Sequence, residues 1–184
     1  MNRYEIRIAG FGGQGIVLSG VVLGRAAALY SGKEVTLMQS YGPEARGGSC
    51  KTELVLCDDR IDYPLTDSPQ ILVAMNRESL DKFSTQIIPG GILIYDSTFI
   101  ERFEGNSLKV YPVPATRIAE EMGSRIVANM IMLGSLVGLL DMVSLNDLKK
   151  AVSEMVPTHT LELNIKAVSR GHEYLLSLKD GCCF

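Results

Sequence analysis

Three observations predict an α/β fold for this chain of 184 residues. Strand-like and helix-like periodicities alternate up to residue 113. The first two strand-like runs bracket a long run of small and apolar residues. From Pro114 onward every signal is helical. Alternating elements followed by helices predict a three-layer α/β/α sandwich, with a mostly parallel, Rossmann-like sheet, an antiparallel hairpin and a helical C-terminal tail. The length suits one domain over residues 1–184, and no internal repeat or linker divides it.

In chain order, YEIRIA at residues 4–9 reads as the first strand. Residues 15–30 read as a helix that is small or apolar nearly all round, and 33–38 as the second strand. A loop rich in Gly and Pro spans 40–48. Residues 50–56 and 60–63 then flank Asp58 and Asp59 and predict the antiparallel hairpin. Residues 71–75 read as a strand, and Asn76 is placed to cap a helix near 77–86. A Pro89-Gly90-Gly91 turn leads to a strand at 92–95, and residues 108–113 read as the last strand. In the tail, Ser144 with Asp147 three residues on marks a helix start. Leu161, Ile165, Val168 and Leu175 share one helical face, as does His172.

Composition narrows the function classes. An apolar content of 46%, a charged content of 21% and a net charge of −3 describe an ordinary globular protein. No Lys/Arg cluster offers a nucleic-acid surface. The most apolar run, 126–140, is shorter than the ~20 residues a membrane span needs, and it contains Asn129 and Ser135. Arg3, Glu5 and Arg7 interrupt any leader-like N-terminus, so a cytoplasmic location is expected. Cys50, Cys57, Cys182 and Cys183 form no C-x-x-C and read as free thiols, so no metal site is expected.

The segment GFGGQG, residues 10–15, follows the first strand and opens the first helix. Its G-x-G-x-x-G spacing permits three readings. A dinucleotide site would also need an acid at the end of the second strand to hold a ribose, but that strand ends in Met38, Gln39 and Ser40. A phosphate loop would need Lys-Ser/Thr where Ile16 and Val17 stand. The third reading is a tight turn for close packing, supported by Gly20 and Gly24 in the helix, whose free amides can still hold a phosphate.

A second glycine loop, SYGPEARGG at residues 40–48, leaves the second strand at its carboxyl end. Consecutive strands of a β-α-β unit are usually neighbours, so the two loops are expected to meet at one crevice. Ligands of parallel α/β sheets gather at that edge. The candidate binding residues are Gly10, Gly12, Gly13, Gln14 and Gly15 of the turn. From the second loop come Ser40, Tyr41, Gly42, Glu44, Arg46, Gly47 and Gly48. The amides of Gly12 to Gly15 would face a phosphate, Arg46 would add a charge-assisted contact, and Glu44 would orient its guanidinium.

These paired motifs resemble the gamma subunit of 2-oxoacid:ferredoxin oxidoreductases. The likeness continues through Asp62-Tyr63-Pro64, the turn and strand at 89–93, and NMIMLG at 129–134, and so covers nearly the whole chain. The form of the second loop is most like the 2-oxoglutarate branch. The resemblance implies an enzyme that oxidatively decarboxylates a 2-oxoacid to its acyl-CoA, with ferredoxin as electron acceptor. It implies alpha, beta and ferredoxin-like partner subunits that hold thiamine diphosphate, magnesium and iron–sulfur clusters. The gamma subunit is then expected to cover the active site and help bind coenzyme A, with no catalytic residue of its own.

A free-standing nucleotide- or coenzyme A-binding protein of the same fold is the alternative, and a purely architectural subunit a weaker one. Helices at 15–30 and 126–140 carry more apolar surface than one small sheet buries. The 126–140 helix is therefore expected to pack against a partner or a second copy of the chain.

Overall fold

The structure, a computed structural model, describes residues 3–41, 48–103 and 107–181. Six strands form one mixed sheet: β1 (Arg3–Phe11), β2 (Glu34–Tyr41), β3 (Ser49–Cys57), β4 (Ile71–Ala74), β5 (Ile92–Asp96) and β6 (Lys109–Val113). Their order is β2-β3-β1-β4-β5-β6. β1, β4, β5 and β6 run parallel, and β3 pairs antiparallel with both β1 and β2. The α/β architecture expected from the sequence is present, with two changes in how the strands connect.

The hairpin is the first change. It joins β2 to β3 through the second glycine loop, whereas none of residues 58–69 pairs into the sheet. Pro64 has no amide to donate, and Arg60 and Asp62 stay in solvent. That stretch is pinned instead by its carbonyls, with Arg3 donating to Tyr63 O (3.0 Å) and Thr36 to Pro64 O (3.0 Å).

The second change concerns neighbours: β3 lies between β1 and β2, so the first two strands are not adjacent. The end of β2 and the start of β3 nevertheless share an edge with the end of β1. Gly12 N donates to Gly48 O at 3.0 Å across that junction.

Sheet alternation sends Ile6 and Ile8 to one face and Arg7 to the other. The first face carries α1 (Ile16–Arg25), α3 (Ala115–Glu121), α4 (Ala128–Val137), α5 (Leu145–Met155) and α6 (Leu161–Gly181), packed into one core. The opposite face carries α2 (Arg77–Phe83) over Leu72, Leu93 and Tyr95. Beside α2 a charged network takes the place of a helix. Arg7, 3% exposed, donates to Glu53 (2.6 Å) and Gln86 (2.5 Å) and stacks on Phe83 at 5.0 Å. The expected caps form: Asn76 accepts from Ser79 N (2.8 Å) and Ser144 from Asp147 N (3.1 Å).

The expectation that the 126–140 helix packs against a partner or a second copy gives way for residues 128–137. Every residue of α4 is buried within the chain. Burial is possible because α4 and α6 meet backbone to backbone, through small residues. A Cβ on Gly134 would strike Val168 O, and one on Gly171 would strike Ile131 O. Ser135 Oγ donates to both Ile131 O (3.1 Å) and Gly171 O (2.9 Å), bridging the two helices. The apolar surface of α4 is covered by a second helical layer of the same chain, while Ile126, ahead of it, stays exposed.

Cys50 and Cys57 are buried free thiols at opposite ends of β3. No helix among the described residues is long and apolar enough to cross a membrane.

Candidate functional site

The glycine turn is built by hydrogen bonds that leave one residue outside them. Gly15 caps α1 in the left-handed region (φ 72°), and no side chain caps that helix. Its carbonyl accepts from Ser19 N and Ser19 Oγ (both 2.9 Å) and from Asn129 Nδ2 (3.3 Å). A Cβ at Gly15 would overlap that Asn129 amide, so glycine is required twice over.

Gln14 works inward as a latch. Its Oε1 accepts from Phe11 N (2.7 Å) and Asn76 Nδ2 (3.0 Å), and its Nε2 donates to Met75 O (3.3 Å). One side chain thus joins the ends of β1 and β4 and the cap of α2.

This geometry corrects part of the sequence reading. Gly12 N is engaged by Gly48 O, and Gln14 N by Phe11 O at 3.1 Å, so neither amide faces outward for a phosphate. Gly10 serves packing, since a Cβ there would lie 2.6 Å from Ile16 Cδ1. Gly13 differs from all of these. It is exposed, its φ is 95°, nothing lies within 4 Å of where its Cβ would be, and its amide has no acceptor among the described residues. Ser40 is exposed on β2, and Tyr41 pairs in register with Cys50 at the strand's end. Gly42, Glu44, Arg46 and Gly47 lie outside the described residues.

The turn opens on a cleft of about 260 Å³, lined by Gly13, Met75, Phe99, Thr116, Arg125 and Ile126 among others. It lies on the β4 side of the turn. After β1 the chain crosses to the β2–β3 side of the sheet, and after β4 it proceeds to β5. The carboxyl ends of β1 and β4 therefore flank the point where the winding reverses, which is where open α/β sheets bind ligands.

The far wall is held by Asp96, fully buried at the end of β5. Its carboxylate accepts from Thr98 N (3.0 Å), Thr116 N (3.1 Å) and Thr116 Oγ1 (2.6 Å). That fixes the turn carrying Phe99 against the start of α3. Arg125 stacks over the Phe99 ring at 5.7 Å and pairs with Glu120 at 3.0 Å. Ile126 is 86% exposed and Phe99 49%.

Phe99, Arg125 and Asp96 escaped the sequence reading. The one available signal was an acid ending the apolar strand at 92–95, which is where a parallel strand delivers a polar group to the ligand edge. Among the described residues no group of three His, Cys, Asp or Glu side chains converges to hold a metal.

Comparison with known proteins is consistent along the whole chain. The pyruvate ferredoxin/flavodoxin oxidoreductase family matches residues 5–174. The 2-oxoglutarate synthase subunit KorC of Methanocaldococcus jannaschii is 47% identical over 174 residues, which span 93% of each chain. The crystal structure of a keto/oxoacid ferredoxin oxidoreductase gamma subunit from Geobacter sulfurreducens superposes with a TM-score of 0.84 at 38% identity. It covers 95% of this chain and 99% of that one.

A 2-oxoglutarate:ferredoxin oxidoreductase from Magnetococcus marinus, with 2-oxoglutarate, coenzyme A and succinyl-CoA bound, superposes with a TM-score of 0.88 at 27% identity. It covers 96% of this chain but 32% of that one. The resemblance carried by the two glycine motifs thus extends over the entire fold, and the chain belongs to the pyruvate ferredoxin/flavodoxin oxidoreductase family, among its gamma subunits.

Proposed function

We propose that this chain is the gamma subunit of a 2-oxoglutarate:ferredoxin oxidoreductase, that its whole length serves as one gamma-type unit, and that it helps bind coenzyme A and cover the active site. The observation that carries the reading is the near-full-length identity of 47% with a 2-oxoglutarate synthase subunit. The coenzyme A contact draws support from a structural neighbour with coenzyme A bound and from the cleft at the winding reversal.

In this reading the alpha and beta partners hold thiamine diphosphate, magnesium and iron–sulfur clusters, and ferredoxin accepts the electrons. Gly13 offers an open amide. Arg46 adds a charge-assisted contact to a phosphate and Glu44 orients its guanidinium, and Gly48, the last residue of their loop, meets the turn at Gly12. Nothing in the cleft performs acid–base or nucleophilic chemistry, because the Thr116 hydroxyl is tied to Asp96. The chain contributes binding, and the reaction belongs to the assembly.

Reconstitution tests this. Purified from its native source, the chain is expected to co-elute with larger partners. The assembly should oxidise 2-oxoglutarate in a coenzyme A-dependent manner, while the isolated chain oxidises no 2-oxoacid. A native chain that elutes alone, or turnover by the isolated chain, would overturn the assignment.

A further inference from the structure

β2 and β6 are the two edges of the sheet, and they are finished differently. β6 is short and carries Lys109 and Pro112, residue types that keep a strand edge from pairing with another chain. β2 runs for eight residues without proline, lysine or arginine, and Glu34 at its start is its sole charge. Its register with β3 is unbroken, so no bulge turns the edge aside. Among the described residues, the backbone of residues 35–38 bonds only to β3.

Exposed apolar side chains gather around the same strand. Of the eight large apolar residues exposed among the described ones, five are Leu29, Leu37, Met38, Tyr63 and Leu65. Leu37 stands beside Leu54 on the face that carries α1, and Met38 beside Glu53 on the opposite face. Hydrogen bonds bring the other three alongside. Lys33 N donates to Ala27 O (2.9 Å) and holds the helical turn of Leu29 against the start of β2. Thr36 Oγ1 donates to Pro64 O (3.0 Å), between Tyr63 and Leu65.

We propose that this edge is an interface between two copies of the chain, in which β2 pairs antiparallel with β2 of the second copy about a two-fold axis at Leu37. This interface does not depend on coenzyme A. What the edge leaves unpaired is backbone, so its occupant is an extended strand rather than a helix. Residues directly opposite must share a face. With the axis at Leu37, Leu37 therefore meets Leu37, Thr36 meets Met38, Val35 meets Gln39 and Glu34 meets Ser40. The strand is used in full from Glu34 to Ser40, no charge meets a like charge, and the two exposed apolar residues lie at the centre. Met38 of each copy also lands where Tyr63 and Leu65 flank Thr36 of the other. A second copy thus supplies a strand of matching length and the same apolar flanks on both sides of the axis.

The test uses the full chain and the native assembly, with Cys182→Ser and Cys183→Ser removing the C-terminal thiols. Opposed residues of an antiparallel pair have Cα atoms roughly 4.5–5.5 Å apart, within the reach of a disulfide. Leu37→Cys is therefore expected to cross-link two copies under mild oxidation. Glu34→Cys should not, because its equivalent lies roughly 20 Å away along the paired strands. Leu37→Lys sets two ammonium groups against each other at a side chain that is already exposed, so the chain should keep its circular dichroism spectrum. Its dimer dissociation constant in sedimentation equilibrium should rise by roughly a hundredfold or more. Cross-linking through position 34 as readily as through 37 would refute the pairing. So would absence of the cross-link at position 37 in both the lone chain and the assembly. If Leu37→Lys then releases the chain from the assembly, the edge receives a strand of a partner subunit instead, and if it changes nothing the edge stays open.

Discussion

Two sets of glycines in this molecule have opposite surroundings. Between α4 and α6, Gly134 and Gly171 are filled against: the space a side chain would take is occupied by the backbone of the facing helix. At the turn after β1, Gly13 is open, with no atom within 4 Å of its missing Cβ. The first set closes the core of the chain. The second leaves a concave edge that the chain itself does not fill. Glycine content alone does not separate these roles. What separates them is whether another backbone of the same chain arrives.

The contrast can be broken most forcefully by adding one methyl group at each place. Gly171→Ala is expected to destabilise the chain by at least ~3 kcal/mol, the upper end of overpacking penalties, because the new atom meets the Ile131 carbonyl and two helices must separate. Gly13→Ala meets no atom and should cost only the ~1–2 kcal/mol of a left-handed backbone. Urea unfolding midpoints measure both. Equal losses would mean that the turn is packed as tightly as the core.

A smaller effect sharpens the same comparison. His172 sits on α6 beside Gly138, and burial pushes its imidazole below the ordinary 6.5, with Lys149 and Lys179 acting the same way and Glu173 opposing. The folded pKa lies below the unfolded one, so the unfolded chain takes up the proton first. Stability is therefore expected to fall as pH drops from 6.5 toward the folded value, and to level off below it. His172→Gln should flatten that part of the stability profile. An unchanged slope would place the titrating group elsewhere.

The amino-acid pattern disclosed most of the elements and the ligand edge, but not the order of strands. Residues 50–56 alternate as a strand between two turn signals, and either turn is a reasonable hairpin on local grounds. The choice is made by tertiary pairing, in which β3 satisfies β1 and β2 at once. The apolar run at 126–140 was legible as a helix, yet its cover was not, because the fit of Gly134 and Gly171 against facing carbonyls is a three-dimensional fact.

The glycine motifs identified the turn. They did not reveal that Gln14 is a latch or that Phe99 and Arg125 stand opposite, since those residues come from segments far apart in the chain. A ribose acid near Gln39 is required only if the second strand lies beside the first. With β3 between them, that position lies two strands away from the turn.

The central claim is that the edge formed by the glycine turn and the Phe99 wall receives coenzyme A. Hydrogen exchange of the assembled enzyme, with and without saturating coenzyme A, tests it most directly. The account predicts slowed exchange in residues 12–18 and 97–103 and around Arg125 and Ile126, with the α4–α6 contact unchanged. Protection confined to the partner subunits, at coenzyme A concentrations that saturate turnover, would contradict it.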